Sequence, residues 1–298
     1  MGHTPKITVV GSVNMDLVTI TDALPKMGET LMGQQFQMIP GGKGANQAVA
    51  ATKLGAHVQM IGCVGQDRFG EDLLQHLEDE GVNVSDVEPV THSSTGTATI
   101  IVSDQDNRII VVPGANNHVT ASFVEAKRDV IANSDIVVIQ LEIPLEGVQK
   151  AVEIAKENDV TVILNPAPIQ SLPEQLLQKV DYLTPNEHEA GLLQKGRKRH
   201  ELQEKIVLTK GSKGVSFYES GKEVTIPAYD INVVDTTGAG DAFNGGFAFA
   251  LGEGHSVATA CRFGNAVAAL ATTKLGAQTG MPTGKEVKEF IRKQTKLD

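Results

Sequence analysis

The sequence predicts an α/β domain: a predominantly parallel sheet flanked by helices, with a small antiparallel β lid inserted into it. Three observations carry this expectation. Apolar runs of strand length alternate with segments of helical period, as in parallel sheets covered on both faces. Two stretches, 17–39 and 97–112, break that rhythm with alternating patterns of their own. Two Gly-rich turns, around 41–44 and 238–240, each open a helix.

The elements follow in order. Residues 7–11, Ile-Thr-Val-Val-Gly, read as a first buried strand, and 44–54 as a helix with small residues on one face. A strand over 58–64 and a helix over 69–80 come next. The lid region 97–112 reads as a hairpin with its turn at 104–107. Strands over 136–141 and 161–165 flank a helix over 145–158. Short strands follow at 181–183 and 206–208. Beyond Asp241 the chain turns mostly helical, to about 251, then over 255–273. A last helix starts at Thr283, where Thr283 and Glu286 have capping-box spacing. No repeat or low-complexity linker divides the chain, so 1–298 reads as a single domain.

Composition narrows the function classes. At 41% hydrophobic and 21% charged residues the chain is an ordinary globular protein. A net charge of −10 argues against nucleic acid as a partner. The one basic run, 195–200, reads as a solvated loop. No stretch has the length of a membrane span, and the first residues run into a strand without a signal peptide. Cys63 and Cys261 lie far apart in apolar segments. They read as buried free thiols in a reducing compartment, with the cytoplasm expected.

The chemistry concentrates in a few segments. In Asp235-Thr-Thr-Gly-Ala-Gly-Asp241, Gly238, Ala239 and Gly240 leave backbone amides exposed at a helix start. Free amides and the helix dipole make an anion site there. Asp241 is either a cap or a base beside that anion, and amides and dipole favour its ionised form. Gly41-Gly-Lys-Gly-Ala-Asn46 fits neither a P-loop nor a dinucleotide fingerprint. Its Gly42, Lys43 and Asn46 suit a polyhydroxylated small molecule. Asn14 and Asp16 share one face at the end of the first strand, and Glu142 ends another strand in the same layer. In open α/β sheets ligands bind beyond such strand ends. Asn186 and Glu189 stand at i and i+3 and suit either a hydrated magnesium ion or a helix cap. Thr209, Gly211 and Gly214 form a turn able to meet nucleotide phosphates or simply to reverse the chain.

These segments, in this order, resemble the ribokinase-like sugar kinases, the phosphofructokinase-B family, over nearly the whole chain. The resemblance implies that family's Rossmann-like, ribokinase-like fold. It also implies an ATP-dependent phosphorylation of D-ribose at the 5-hydroxyl, with another sugar kinase of the family (fructokinase or deoxyribokinase) or an inactive sugar-binding regulator as alternatives. It casts Asp241 as the base and Gly238, Ala239 and Gly240 as the anion hole. Asn14, Asp16, Gly42, Lys43, Asn46 and Glu142 become sugar contacts. Asn186 and Glu189 match the family's magnesium and phosphate motif. Thr209, Gly211, Gly214, Gly240 and Asn265 fall at the ATP site. Asp235 and Thr237, with backbone oxygens of Ala271, Lys274 and Gly276, fall at a potassium site. Gly280 stands where the family often has a Ser ligand. The segment between Glu189 and Thr209 is shorter than is usual for the family. A homodimer through the β lid is expected, because a lone lid would leave sheet edges wet.

Overall fold

A computed structural model of the protein describes residues 3–103, 106–195 and 201–294. The chain opens with β1 (Lys6–Val10), β2 (Asn14–Ile20), β3 (Gln35–Gly41) and α1 (Lys43–Leu54). β4 (His57–Gly65), α2 (Arg68–Asp79), β5 (Asn83–Val90), β6 (Gly96–Ser103) and β7 (Asp106–Val112) follow. Then come α3 (Ala121–Glu125), α4 (Arg128–Ala132), β8 (Ile136–Ile139), α5 (Leu145–Glu157), β9 (Thr161–Leu164) and α6 (Glu174–Lys179). β10 (Tyr182–Leu183), α7 (Glu187–Leu193), β11 (Val207–Thr209), β12 (Val215–Glu219) and β13 (Lys222–Ile226) lead to α8 (Ala239–Gly252), α9 (Val257–Ala271) and α10 (Gly284–Gln294).

Six parallel strands form the central sheet in the order β10-β9-β8-β1-β4-β5. Period-two alternation sends their side chains into two cores. Ile7, Val9, Val58, Met60, Ile136 and Val138 pack on one face with residues of α1, α8 and α9. Val10, Ile61, Val137, Ile139, Val162 and Leu164 pack on the other with Val148, Val152 and Ala155 of α5. The strands are apolar on both faces, which is why they read as continuous runs. Helix α2 shows the amphipathic alternative. Asp67 caps it by accepting from Gly70 N at 2.9 Å, and Leu73 and Leu77, one turn apart, are buried. Truncating either leucine to alanine costs about 2–5 kcal/mol.

Small residues set the spacing that matters for the site. α1 reads Lys-Gly-Ala-Asn-Gln-Ala-Val-Ala-Ala, and α8 turns Gly245 toward it and Gly246 toward Val267 and Gly264 of α9. A Cβ on Gly245 would stand 2.5 Å from the Ala50 Cβ and 3.0 Å from the Gln47 carbonyl oxygen. Only glycine there lets the two helix backbones approach so closely.

The two irregular regions do meet. β2, β3, β6 and β7 form a four-stranded sheet in the order β3-β2-β6-β7. Its outer pairs are antiparallel and its central pair, β2 with β6, is parallel. Asn14 and Asp16 belong to β2, not to the end of the first core strand as their position suggested. β1 ends at Val10, and the lid begins at Asn14, three residues before the expected boundary. The hairpin turn at 104–107 lies partly, and the basic run at 196–200 wholly, outside the described residues.

Other elements gave weak signals. β5 contains Pro89 and several polar residues, which an edge strand tolerates. β12 and β13 form a hairpin in a three-stranded antiparallel sheet with β11, closed by Ser220 and Gly221 at positive φ. Bridges Leu183–Ile206 and Asn186–Thr209 tie this sheet to the central one.

Candidate active site

All six core strands run the same way, so their carboxyl ends share one edge. Ser12 follows β1, Glu142 follows β8, and Asn165 follows β9. Asn186 follows β10. Glu142 is the junction. Its Oε2 accepts from the Ser12 hydroxyl at 2.6 Å, the Lys43 amide at 3.1 Å and Asn14 Nδ2 at 3.4 Å. The Lys43 amide is the first of α1, whose cap residue Gly42 has φ of 90° and no side chain to offer. Glu142 therefore does the capping from another strand, where the helix dipole favours a carboxylate. Gly44 N binds Ser12 Oγ at 3.3 Å, and Ala45 N binds the Ser12 carbonyl at 2.9 Å. The first Gly-rich turn thus spends its amides internally.

The second turn differs. Gly238, at φ 76°, begins α8 and packs against Ala277. Ala239 N donates to Thr236 O at 3.1 Å, so this one of the three expected anion-hole amides is engaged inside the turn. Gly240 is exposed, and a Cβ there would meet nothing within 4 Å. An anion can reach the start of α8 at this point.

Asp241 lies in the first turn of α8 and is buried. It does not cap its own helix. Asn46 Nδ2 donates to Oδ2 at 2.9 Å, and Gln47 Nε2 donates to Oδ1 at 2.8 Å. Burial pushes the Asp241 carboxyl above the usual carboxylate range, and the lowering pull of Lys43, Asn46 and Gln47 does not cancel it. Amides and dipole at the helix start favour the ionised form, but the loss of water acts more strongly in the opposite direction.

Four carboxylates act on Lys43. Burial lowers its ammonium, but Asp241, Glu142, Glu189 and Asp16 together raise it above its ordinary value. Asp16 is pushed up to about 7, first by burial, then by Glu142 and Asp241, with Lys43 opposing. A sheet edge with several carboxylates and one ammonium can bind hydroxyls, which donate to acids and accept from lysine. It would repel a substrate already carrying phosphate.

The remaining expected residues form a second group. Asn186 and Glu189 make a full capping box: Glu189 N donates to Asn186 Oδ1 at 2.9 Å, and Asn186 N to Glu189 Oε2 at 2.8 Å. Thr209 N donates to Pro185 O at 2.9 Å, which joins the end of β11 to that cap. Gly211 opens the next turn at φ 55° and Gly214 closes it at φ 92° against Ile226 O. Asn265 of α9 donates to Ile226 O at 3.3 Å and Pro227 O at 3.2 Å, so it secures the same strand end.

Asp235 ties two loops together. Oδ1 accepts from Thr237 N at 2.9 Å and Thr237 Oγ1 at 2.7 Å, and Oδ2 accepts from Gly276 N at 2.8 Å. Burial acts against its charge, but these bonds win and hold it below the usual carboxylate range. Gly280 presses against the Ala271 carbonyl oxygen so closely that a Cβ would overlap it. Among the described residues, no group of three or more His, Cys, Asp or Glu could hold a metal by itself.

Sequence reasoning missed several polar residues of this layer. Asn116 accepts from Val13 N at 2.9 Å and donates to Asn14 Oδ1 at 2.7 Å. Gln140, Asn165 and Gln278 are buried and bonded into the Asp241 surroundings. Gln47 follows Asn46 directly, and a second amide beside a helix start was the available signal. The others had none, because one amide in an apolar run carries no pattern.

Comparison with known proteins gives one consistent picture. Residues 4–284 match the model of the pfkB family carbohydrate kinases. The chain is 46% identical to a ribokinase of Bacillus subtilis (strain 168) over 289 residues, covering 96% of this chain and 99% of that protein. A crystal structure of ribokinase from Thermotoga maritima superposes with a TM-score of 0.88 at 37% identity, covering 97% of this chain and 99% of that one. The structure of Arabidopsis thaliana ribokinase complexed with ribose and ATP gives 0.89 at 33%, with the same coverage.

Proposed function

The chain belongs to the pfkB family of carbohydrate kinases, and on that premise we propose that it transfers the γ-phosphoryl group of ATP to the 5-hydroxyl of D-ribose. One observation carries the site reading. The buried Asp241 carboxylate, held by Asn46 and Gln47, lies beside the accessible Gly240 at the start of α8. A base and an anion site then share one turn, which phosphoryl transfer to an alcohol requires.

Asn14, Asp16, Gly42, Lys43, Asn46 and Glu142 line the sugar and present its 5-hydroxyl to Asp241. As the hydroxyl oxygen bonds to the γ-phosphorus, its proton passes to the carboxylate and the bond to the β-phosphate oxygen breaks, releasing ADP. Backbone amides of Gly238, Ala239 and Gly240 face the charge that collects on the moving group. Ala239 must give up Thr236 to do so. The lid strands β2, β3, β6 and β7 cover the sugar and limit hydrolysis by water.

ATP lies over Thr209, Gly211, Gly214, Gly240 and Asn265. Asn186 and Glu189 would hold, through water, a magnesium ion bound with the nucleotide, which would supply charge neutralisation at the phosphates. The capping box suits that indirect role, because the two side chains are already committed to the helix. Asp235, Thr237 and the oxygens of Ala271, Lys274, Gly276 and Gly280 would hold potassium. The fit rests on an ionised carboxylate between two carbonyl-rich loops. A second copy of the chain covers the lid, and two buried free cysteines suit the cytoplasm. Among the described residues no helix is long and apolar enough to cross a membrane.

An ADP-release assay with ribose, deoxyribose and fructose tests the reading. Ribose should give the highest kcat/KM. A preference for deoxyribose or fructose would reassign the substrate, and no ADP release with any sugar would favour a binding protein.

A further inference from the structure

The Asp241 carboxylate is held by a chain of side-chain amides with a single direction. Gln47 Nε2 and Asn46 Nδ2 donate to its two oxygens, so the Gln47 and Asn46 oxygens must point away. Each then takes a donor from behind. Gln140 Nε2 donates to Gln47 Oε1 at 2.7 Å, and Gln278 Nε2 donates to Asn46 Oδ1 at 2.8 Å. At the far end of one arm, Gln278 Oε1 meets His76 Nε2 at 2.7 Å. The other arm ends differently. Gln140 is fully buried, and its Oε1 has no hydrogen-bond partner among the described residues. That oxygen lies so close to Gly11 that any Cβ there would overlap it.

A buried unpaired amide oxygen is rare and calls for a reason. Turning the Gln140 amide over would set its oxygen against Gln47 Oε1. Gln47 would have to turn too, and would then present an oxygen to the Asp241 carboxylate. The unpaired atom is the cost of keeping an N–H on the base. We propose that Gln140, Gln47 and Gln278 are positioning residues for Asp241: Gln47 holds Oδ1 directly, Gln140 fixes the direction of Gln47, and Gln278 fixes that of Asn46. Both carboxylate oxygens are anchored as acceptors, and a remaining lone pair is aimed at the substrate hydroxyl. This rests on the reading of Asp241 as the base.

The charged groups facing Asp241 are Lys43 on α1, Glu142 after β8 and Asp16 on β2. None is altered in the test. Gln140→Leu and Gln278→Met are compared with the parent enzyme for kcat, ribose KM, the pH profile of kcat and melting temperature. Without its partner, Gln47 or Asn46 is free to turn and withdraw its N–H from Asp241. A carboxylate that loses an N–H donor has a higher pKa, so the base stays protonated to higher pH. Both variants should lose about tenfold or more in kcat at pH 7, with the acid limb of the profile moved upward and ribose KM within about threefold. Gln140→Leu should melt within a few degrees of the parent, because it removes one unpaired oxygen and keeps the volume while leaving Gln47 Oε1 without its donor. A merely structural role would lower melting and leave the limb in place.

Unchanged kcat and limb in a folded Gln278→Met would overturn the proposal, even if Gln140→Leu fails to fold. So would a Gln140→Leu loss that adds in full to that of Gln47→Met, because Gln140 is argued to act only through Gln47. Asp241→Asn separates the two readings. If it keeps turnover, the base itself is misassigned. If it loses turnover while Gln140→Leu and Gln278→Met do not, only the amide chain is wrong.

Discussion

Asn46 Nδ2 and Asp241 Oδ2 are 2.9 Å apart although 195 positions separate them in sequence. The bond crosses the α1–α8 contact, where Gly245 lies against Ala50. It pairs one residue of each Gly-rich segment, so on the proposed reading the sugar and phosphoryl halves of the site meet there.

Asp241→Asn should lower turnover by roughly a hundred- to ten-thousand-fold, the usual worth of a general base. The amide can accept from only one of Asn46 and Gln47 and sets an N–H against the other. The neutral side chain also escapes the burial penalty on the charge. These effects oppose each other, so the melting temperature should move by only a few degrees, on the order of 1 kcal/mol. Normal turnover in a normally folded variant would remove Asp241 from the mechanism.

Asp16→Asn should stabilise the ligand-free protein more at pH 8 than at pH 4. In the fold the Asp16 carboxyl is raised from 3.8 to about 7. The native state therefore holds a proton that the unfolded chain has released, and stability falls as pH rises between those values. The penalty is absent below about 4, grows through the window, and is constant above about 7. Its upper limit is about 4 kcal/mol. Denaturant unfolding of both proteins at several pH values measures it, and a pH-independent difference would contradict the assignment.

If the proposed ion site holds, potassium should raise activity well above sodium or choline, because Asp235 joins the Gly276 loop to the turn bearing Gly238. Gly280→Ser should not add a ligand. Its Cβ would overlap the Ala271 carbonyl oxygen, so the variant should melt lower and respond more weakly to potassium. Equal rates in all three salts would refute the ion site. A stable Gly280→Ser with a stronger response would show that the backbone there yields.

A dimer should form through the lid. Ile109, Ile110, Val111 and Val112 on edge strand β7 and Phe36 and Met38 on β3 are exposed. Apolar side chains along both edges of one sheet favour burial against a second copy. Light scattering at micromolar concentration should give twice the monomer mass of 31.6 kDa, and Ile110→Lys should shift the equilibrium to monomer. A monomeric parent with full activity would refute the interface.

The sequence by itself determined the layered α/β architecture, because strands buried on both faces must be apolar throughout and leave runs that can be read. Gly41–Asn46 and Asp235–Asp241 were legible for a similar reason: a turn that brings backbone to a ligand needs small residues consecutively. Local spacing also gave the Asn186–Glu189 pair and the Thr283–Glu286 cap, both of which form. Only the tertiary structure decided what each polar group faces. It moved Asn14 and Asp16 from a core strand to the lid, and made Glu142 the cap of a helix 99 positions away. It committed the first Gly-rich turn to internal bonds, left Gly240 open, and held Asp241 by two amides of α1, one of them backed by Gln278 from the loop beyond α9. Hydrogen-bond direction and the loss of water depend on groups distant in the chain, and neither leaves a period or spacing in the sequence.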